Sequence, residues 1–286
     1  MITMNTKNLL LLASLTLAMP LTAQTPQEDF KRDITLSGSN YVAYRGPQKQ
    51  LTAAPKGYKP FYLSHYGRHG SRYMIGKKAY DVPYFSLFND PAWVKQNINQ
   101  GDLNRKLYKM ASSIQGTELR GKVSLYDLFT EEELYQNWLN ANIGWQMAYG
   151  NSPYTGNVQP FSQRNLLRNI IQKADSCIAL PHPGATLRYG HDTMVTPLTC
   201  LLDLNGYGEE IKDPEKIASQ WWDYKITPMA TNLQFVFYRN KANDVLVKVL
   251  LNEDEATLPI KSDVAPYYHW NDFREYCLKK LAGYKR

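Results

Sequence analysis

Two short motifs, each at the end of an apolar run, constrain this 286-residue chain more than any other feature. The first is His65-Tyr66-Gly67-Arg68-His69-Gly70-Ser71-Arg72, which follows Pro60 to Ser64, a run with strand character. The second is His191-Asp192-Thr193, which follows the strand-like Thr186-Leu187-Arg188-Tyr189-Gly190 and leads into a helical pattern from Met194 to Leu204. Gly67 and Gly70 are expected to turn the backbone sharply, with Gly70 and Ser71 opening a helix. A strand that turns into a helix N-terminus presents free backbone N–H groups and a positive dipole end, and both favour an anion. In an open α/β sheet two such junctions can meet beyond the carboxyl ends of the strands. The pair therefore predicts an α/β fold in which residues 122 positions apart (191 − 69) share one site.

The residue types suit phosphate. Arg68 and Arg72 carry planar, permanently charged forks that match phosphate oxygens. His69, between them, is a nucleophile toward phosphorus when cations hold the phosphoryl group in line. Blander readings stand beside these. A basic trio is commonly a solvated surface, and Asp192-Thr193 also reads as a helix cap, a role compatible with chemistry. Arg188 lies three positions before His191, faces away along an extended strand and reads as a salt-bridge partner. His65 reads as a supporting or core residue. His182 sits between prolines and His269 in an aromatic stretch, neither with a partner at metal-ligand spacing, so no metal and no other cofactor is called for.

These motifs resemble the histidine phosphatase superfamily, in its acid phosphatase and phytase branch, with its Arg-His-Gly-x-Arg signature and late His-Asp pair. The wording around His65 to Tyr73 and Arg188 to Pro197 is similar to secreted bacterial relatives of multiple inositol polyphosphate phosphatase. Weaker likeness runs through Leu125 to Trp138, Asn165 to Asp175, Pro228 to Leu251 and Ala265 to Phe273. The resemblance implies a three-layer α/β/α core of the phosphoglycerate mutase-like kind. It implies His69 as the nucleophile that becomes phosphohistidine, with Arg68, Arg72 and His191 as phosphate ligands. Asp192 would be the proton donor to the leaving alcohol. Full-length members place a further arginine and a sizeable helical cap between the two motifs, and the 122-position separation here is short by comparison. Residues 90–160 therefore read as a reduced cap. Arg105 is the nearest basic candidate for the further arginine, and Arg120, Arg164 and Arg168 lack a motif around them. Losing one such donor costs on the order of 2.7–4 kcal/mol of barrier. Two readings follow: a phosphomonoesterase of small organic phosphates, with inositol phosphates favoured, or a weakened relative that binds phosphorylated ligands without efficient turnover.

Composition bounds the setting. A chain of this length with 43% hydrophobic residues builds one substantial core. Lys7, Asn8 and the apolar Leu9 to Leu21, closed by Thr22-Ala23, read as a signal peptide over residues 1–23. Residues 24–286 then form a single domain, exported to a periplasm or the exterior. Export also disfavours a transferase of glycolytic metabolites. The formal charge is +7, and Lys7 alone precedes the cleavage point, so the mature chain carries +6 (7 − 1). A basic surface steers anionic esters toward a cleft. Without a clustered Lys/Arg run or a recognisable module, nucleic acid is not an expected partner, nor is stable membrane insertion. Oligomeric state is open.

The remaining elements support the layout. Asp29 to Gln50 reads as loop and short turn. Ser162 is a candidate cap for a helix whose core face carries Leu166, Leu167, Ile170, Ile171, Ala174 and Ile178. Leu233 to Arg239 and Asp244 to Leu251 read as a hairpin added at a sheet edge. Asn271 to Leu281 reads as a closing amphipathic helix stopped by Gly283. Cys177, Cys200 and Cys277 read as buried thiols, with a Cys177–Cys200 bridge left open.

Overall fold

The computed structural model describes residues 24–70 and 100–284. The signal segment, Arg72 and the helix expected to open at Gly70-Ser71 lie outside the described residues. Among these residues a six-stranded mixed sheet forms, with helices packed on it.

The chain opens with α1 (Pro26–Arg32), a helix in a stretch partly expected to be loop. Its cause is local: Thr25 and Glu28 form a reciprocal capping box and Pro26 takes the first helical position. A 3-10 stretch, Ile34–Tyr41, follows. Strand β1 (Lys59–Arg68) is longer than the apolar run alone indicates, because His65, Tyr66, Gly67 and Arg68 continue its ladder. Gly67 therefore does not turn the chain. It is small for a different reason: a Cβ there would meet His65 Nε2 at 2.7 Å.

Helices α2 (Gln100–Ser113) and α3 (Glu131–Tyr149) occupy the region expected to be a cap. The second starts on another capping box, Thr130 with Glu133, and three acidic residues sit in its first turn, where the dipole favours them. Helix α4 (Arg164–Ile178) begins two residues after Ser162. A 3-10 turn, Gln159–Gln163, leads in, so Ser162 is not its cap. Its periodicity holds, with Leu167, Ile170, Ile171 and Ala174 buried and Leu166 and Ile178 packed beside them.

Strand β2 (Gly184–Gly190) pairs in parallel with β1 and is followed at once by α5 (Asp192–Leu201), which stops earlier than the helical pattern suggested. Strands β3 (Asn232–Arg239) and β4 (Val245–Leu251) form the expected antiparallel hairpin. It does not lie at an edge. The order is β2-β1-β3-β4-β5, with β5 (Asp254–Glu255) and β6 (Tyr267–His269) both pairing with β4. Helix α6 (Trp270–Ala282) closes the described chain, with Gly283 at its C-cap.

The main core lies between the sheet and α4, α5 and α6. Tyr62 and Tyr66 of β1, Leu233, Phe235 and Phe237 of β3, and Leu198, Phe273 and Cys277 from the helices meet there. Each Leu or Phe among them contributes about 1.5–3 kcal/mol on burial. A smaller cluster joins Phe30, Val42, Trp138 and Tyr224 and ties the N-terminal segment to α3. All three cysteines are free. Cys177 packs against the main core, while Cys200 belongs to a separate apolar group with Ile217 and Trp221, so the open Cys177–Cys200 bridge is not made. Burial pushes the Cys200 thiol up to about 12 and raises Cys277 as well, which keeps both unreactive.

Candidate active site

The parallel register sets Arg68 opposite Gly190, so β1 and β2 end level with each other. The end of β1 is pinned on both sides. Arg68 N donates to Thr231 O and His69 N donates to Gly190 O, each at 2.8 Å. His191 is the N-cap of α5 in extended conformation, and Asp192 is its first helical residue. Two motifs far apart in sequence thus meet at strand ends and a helix N-terminus. Four of the five residues expected at the site, Arg68, His69, His191 and Asp192, are brought together, and Arg72 lies outside the described residues.

The His69 and His191 rings sit 5.2 Å apart, edge to face. His69 Nδ1 lies 2.7 Å from Gly70 O. A carbonyl only accepts, so this bond puts a proton on Nδ1, and in the neutral ring the lone pair is then on Nε2. His69 is half-buried and His191 exposed.

Asp192 is buried and held on both oxygens. Oδ1 accepts Thr193 N at 2.9 Å, and Oδ2 pairs with Arg68 Nη2 at 3.1 Å. The cap role goes to His191 by position, yet the Asp192 carboxylate still takes a first-turn N–H, so capping and another role coexist. Arg68 Nη1 donates to Asn40 O at 2.8 Å, with the carbonyls of Thr227 and Pro228 at 3.5 Å. The Asn40 side chain completes the group, donating from Nδ2 to Asp192 Oδ2 at 3.0 Å. Asn40 carried no sequence signal.

Gly190 is required by a neighbour. A Cβ there would lie 1.9 Å from the Tyr66 hydroxyl, which tucks under the turn beside His191. Burial raises the Tyr66 phenol above its ordinary value. Tyr66 lies within the first motif, yet nothing in the sequence pointed to this role.

Other candidates resolve plainly. Arg188 donates to Ser64 Oγ at 3.1 Å and Asn169 Oδ1 at 2.9 Å, hydrogen bonds in place of the expected salt bridge. His65 is half-buried beside Tyr189, and burial lowers its pKa. His182 is exposed. His269 lies 3.3 Å from Asp263. Arg164 lies over the Tyr284 ring and Arg168 is exposed beside Asn165. Arg120 lines a separate cavity with Arg45 and Lys122. Arg105 and Lys109, one turn apart on α2, line a cavity of about 500 Å³ together with Asn40, Tyr41 and Trp145. Asn40 therefore joins that cavity to the site. Among the described residues, no three His, Cys, Asp or Glu side chains group to hold a metal.

The family model described as histidine phosphatase superfamily, branch 2, matches residues 77–252, more than half of the chain. The chain belongs to the histidine phosphatase superfamily, branch 2. The matched span begins just after His69 and contains Gly190, His191 and Asp192. The crystal structure of Bifidobacterium longum multiple inositol polyphosphate phosphatase in complex with inositol hexasulfate is similar at a TM-score of 0.51 and 18% identity. That alignment covers 62% of this chain and 39% of the other. The apo form of that protein gives a TM-score of 0.49 at 19% identity over 59% and 38% of the two chains. The phytase from D. castellii gives 0.47 at 20% identity over 68% and 40%. The chain thus corresponds to about two fifths of the length of these proteins. No curated protein sequence matches.

Proposed function

We propose that this chain is a secreted or periplasmic phosphomonoesterase that hydrolyses small organic phosphates, inositol phosphates foremost, through a phosphohistidine on His69. The observation that carries the reading is the level ending of β1 and β2, with the His69 and His191 rings 5.2 Å apart at the N-terminus of α5. Such an end favours an anion without further help. Among the described residues no helix is long and apolar enough to cross a membrane, which is compatible with export after removal of residues 1–23.

In this reading His69 Nε2 attacks phosphorus in line with the ester oxygen, and the P–O bond breaks as the P–N bond forms. Asp192 gives the departing alkoxide a proton, which a poor leaving group requires. Arg68, Arg72 and His191 hold the phosphoryl oxygens. Water then attacks the phosphohistidine, Asp192 takes back a proton, and inorganic phosphate leaves. The cavity of about 500 Å³ beside Asn40 has the volume of a small-ligand site and would take the body of the substrate, with Arg105 and Lys109 facing further phosphates. Residues 90–160 would then act as the reduced cap. No metal or cofactor takes part.

Phosphate release from inositol hexakisphosphate and from an aryl phosphate, measured at acidic pH for the parent and for His69→Ala, tests this. Release by the parent and none by the folded variant is expected. A His69→Ala variant that keeps the parent rate removes His69 from the nucleophile's role. Ester binding by the parent without release supports the weakened-relative reading, which draws on the Arg68 guanidinium being already engaged by Asp192 and Asn40. Proton donation by Asp192 calls for turnover that favours acidic pH, and a pH-rate maximum above 8 would count against it.

A further inference from the structure

Asn40 belongs to neither motif, yet it touches both. Its amide donates to Asp192 Oδ2 at 3.0 Å, its carbonyl accepts from Arg68 Nη1 at 2.8 Å, and Arg68 Nη2 reaches the same Oδ2 at 3.1 Å. The three residues form a closed ring of contacts. A guanidinium and a carboxylate joined by one bond alone keep rotational freedom about it. A third group that bonds both removes that freedom.

Asn40 is itself held firmly. The preceding Ser39 is buried at φ 55°, a left-handed backbone that a non-glycine residue keeps only against compensation. The compensation is a hydrogen bond from the Ser39 hydroxyl to Asp223, a buried carboxylate in the turn Asp223–Ile226. Asp223 also accepts Trp138 Nε1 at 2.9 Å and Tyr224 N at 2.7 Å, while its own N–H donates to Asn142 Oδ1 at 2.8 Å. The same turn also reaches the end of β1, since Thr227 N donates to Asp223 O at 2.7 Å and the Thr227 carbonyl lies 3.5 Å from Arg68 Nη1. A solvated loop would need none of it.

We propose that Asn40 is a positioning residue that fixes the Asp192 carboxylate relative to Arg68, so that proton delivery to the leaving oxygen depends on its side-chain amide. The proposal rests on Asp192 as the proton donor. Among the described residues, the charged or titratable groups at the Asp192 end of α5 are Arg68 and Tyr66 from β1, with His69 and His191 beside them. Asn40 supplies an uncharged side-chain donor to the Asp192 carboxylate.

The test compares the parent, Asn40→Ala and Asn40→Asp on glycerol phosphate, a poor leaving group, and on 4-nitrophenyl phosphate, a good one. Asn40→Ala is expected to lower kcat on glycerol phosphate by roughly tenfold to a hundredfold, the scale of a small misplacement of a reacting group. On the aryl ester the loss is a few-fold, and KM changes little for either. Asn40→Asp keeps the shape but loses the donor while ionised, so its deficit on glycerol phosphate shrinks as pH falls and its carboxyl gains a proton. Equal losses on the two esters, or an Asn40→Asp deficit independent of pH, overturn the proposal.

A reading without turnover separates it from the phosphatase assignment. The Asp192 carboxyl carbon, assigned with Asp192→Asn, is compared by carbon NMR between the parent and Asn40→Ala at one fixed pH. Removing a hydrogen-bond donor from the carboxylate moves that resonance in Asn40→Ala. An unmoved resonance overturns the proposal even if the parent releases no phosphate.

Discussion

The two sides of the site are held by different forces. On one side, β1 and β2 deliver Arg68, His69 and His191 from a sheet whose core face is apolar, with Phe235 and Phe237 of the adjacent β3 fully buried. On the other, Asn40 comes from a 3-10 stretch that is held by polar groups as well as by the small Phe30–Trp138 cluster. Ser39 is bonded to Asp223, Gln115 Oε1 accepts Ala43 N, and Gln115 Nε2 donates to the Tyr126 hydroxyl. Apolar packing is non-directional and indifferent to pH. Buried polar networks are directional, and they become costly when a member loses its partner or carries an uncompensated charge. The strand-end side therefore tolerates changes in solution conditions, while the lead-in side responds to them.

The largest expected effect breaks the apolar side. Phe235→Ala removes a fully buried ring that lies 5.8 Å from Phe273 and costs about 3–5 kcal/mol of stability. The deficit, read from urea unfolding of parent and variant, should be nearly the same at pH 4 and pH 7. A deficit that varies strongly with pH would show that the two sides do not differ as described.

A smaller effect sharpens the comparison at the junction itself. Gly190→Ala puts a methyl group 1.9 Å from the Tyr66 hydroxyl and 2.9 Å from Cζ of its ring. The clash costs about 1–3 kcal/mol, and the shift of His191 and Asp192 costs roughly a hundredfold in rate. Tyr66→Phe removes the hydroxyl, so the double variant should recover a good part of both losses. A double variant no better than Gly190→Ala would mean that the hydroxyl does not set the limit on that turn.

Legibility in the sequence followed the same division. The strand ends were readable because glycines, arginines and histidines directly follow β-favouring runs, and parallel register then brings them level. Their roles in catalysis are not fixed by that register. The centre of the sheet was harder: alternation identifies β3 and β4 as strands but not their neighbours, so the hairpin was expected at an edge. A signal was present in Val245–Leu251, where every residue is buried, because an apolar run without alternation indicates burial on both faces. Lys248 hides that signal. It is buried with its ammonium bonded to Glu255 and Thr52 O. Asn40 had none, since a single asparagine in a Gly- and Ser-containing segment has no periodicity and its partners lie 28 and 152 positions away.

The smallest effect isolates the polar side. Burial pushes the Asp223 carboxyl from its ordinary 3.8 up to about 6, despite the donors from Ser39, Trp138 and Tyr224. Between those two values the folded chain binds more protons than the unfolded chain, so this group's contribution to stability is full below about 4 and is lost as pH rises to about 6. Asp223→Asn removes the titration while keeping the shape. Relative to the parent, the variant should therefore gain on the order of 1 kcal/mol per pH unit across that window and nothing further above it. Unfolding free energies at pH 4, 5, 6 and 7 give the difference directly. A difference that stays constant from pH 4 to 7 would mean that Asp223 is not strained by its burial, and the lead-in side would then be as insensitive to pH as the strand ends.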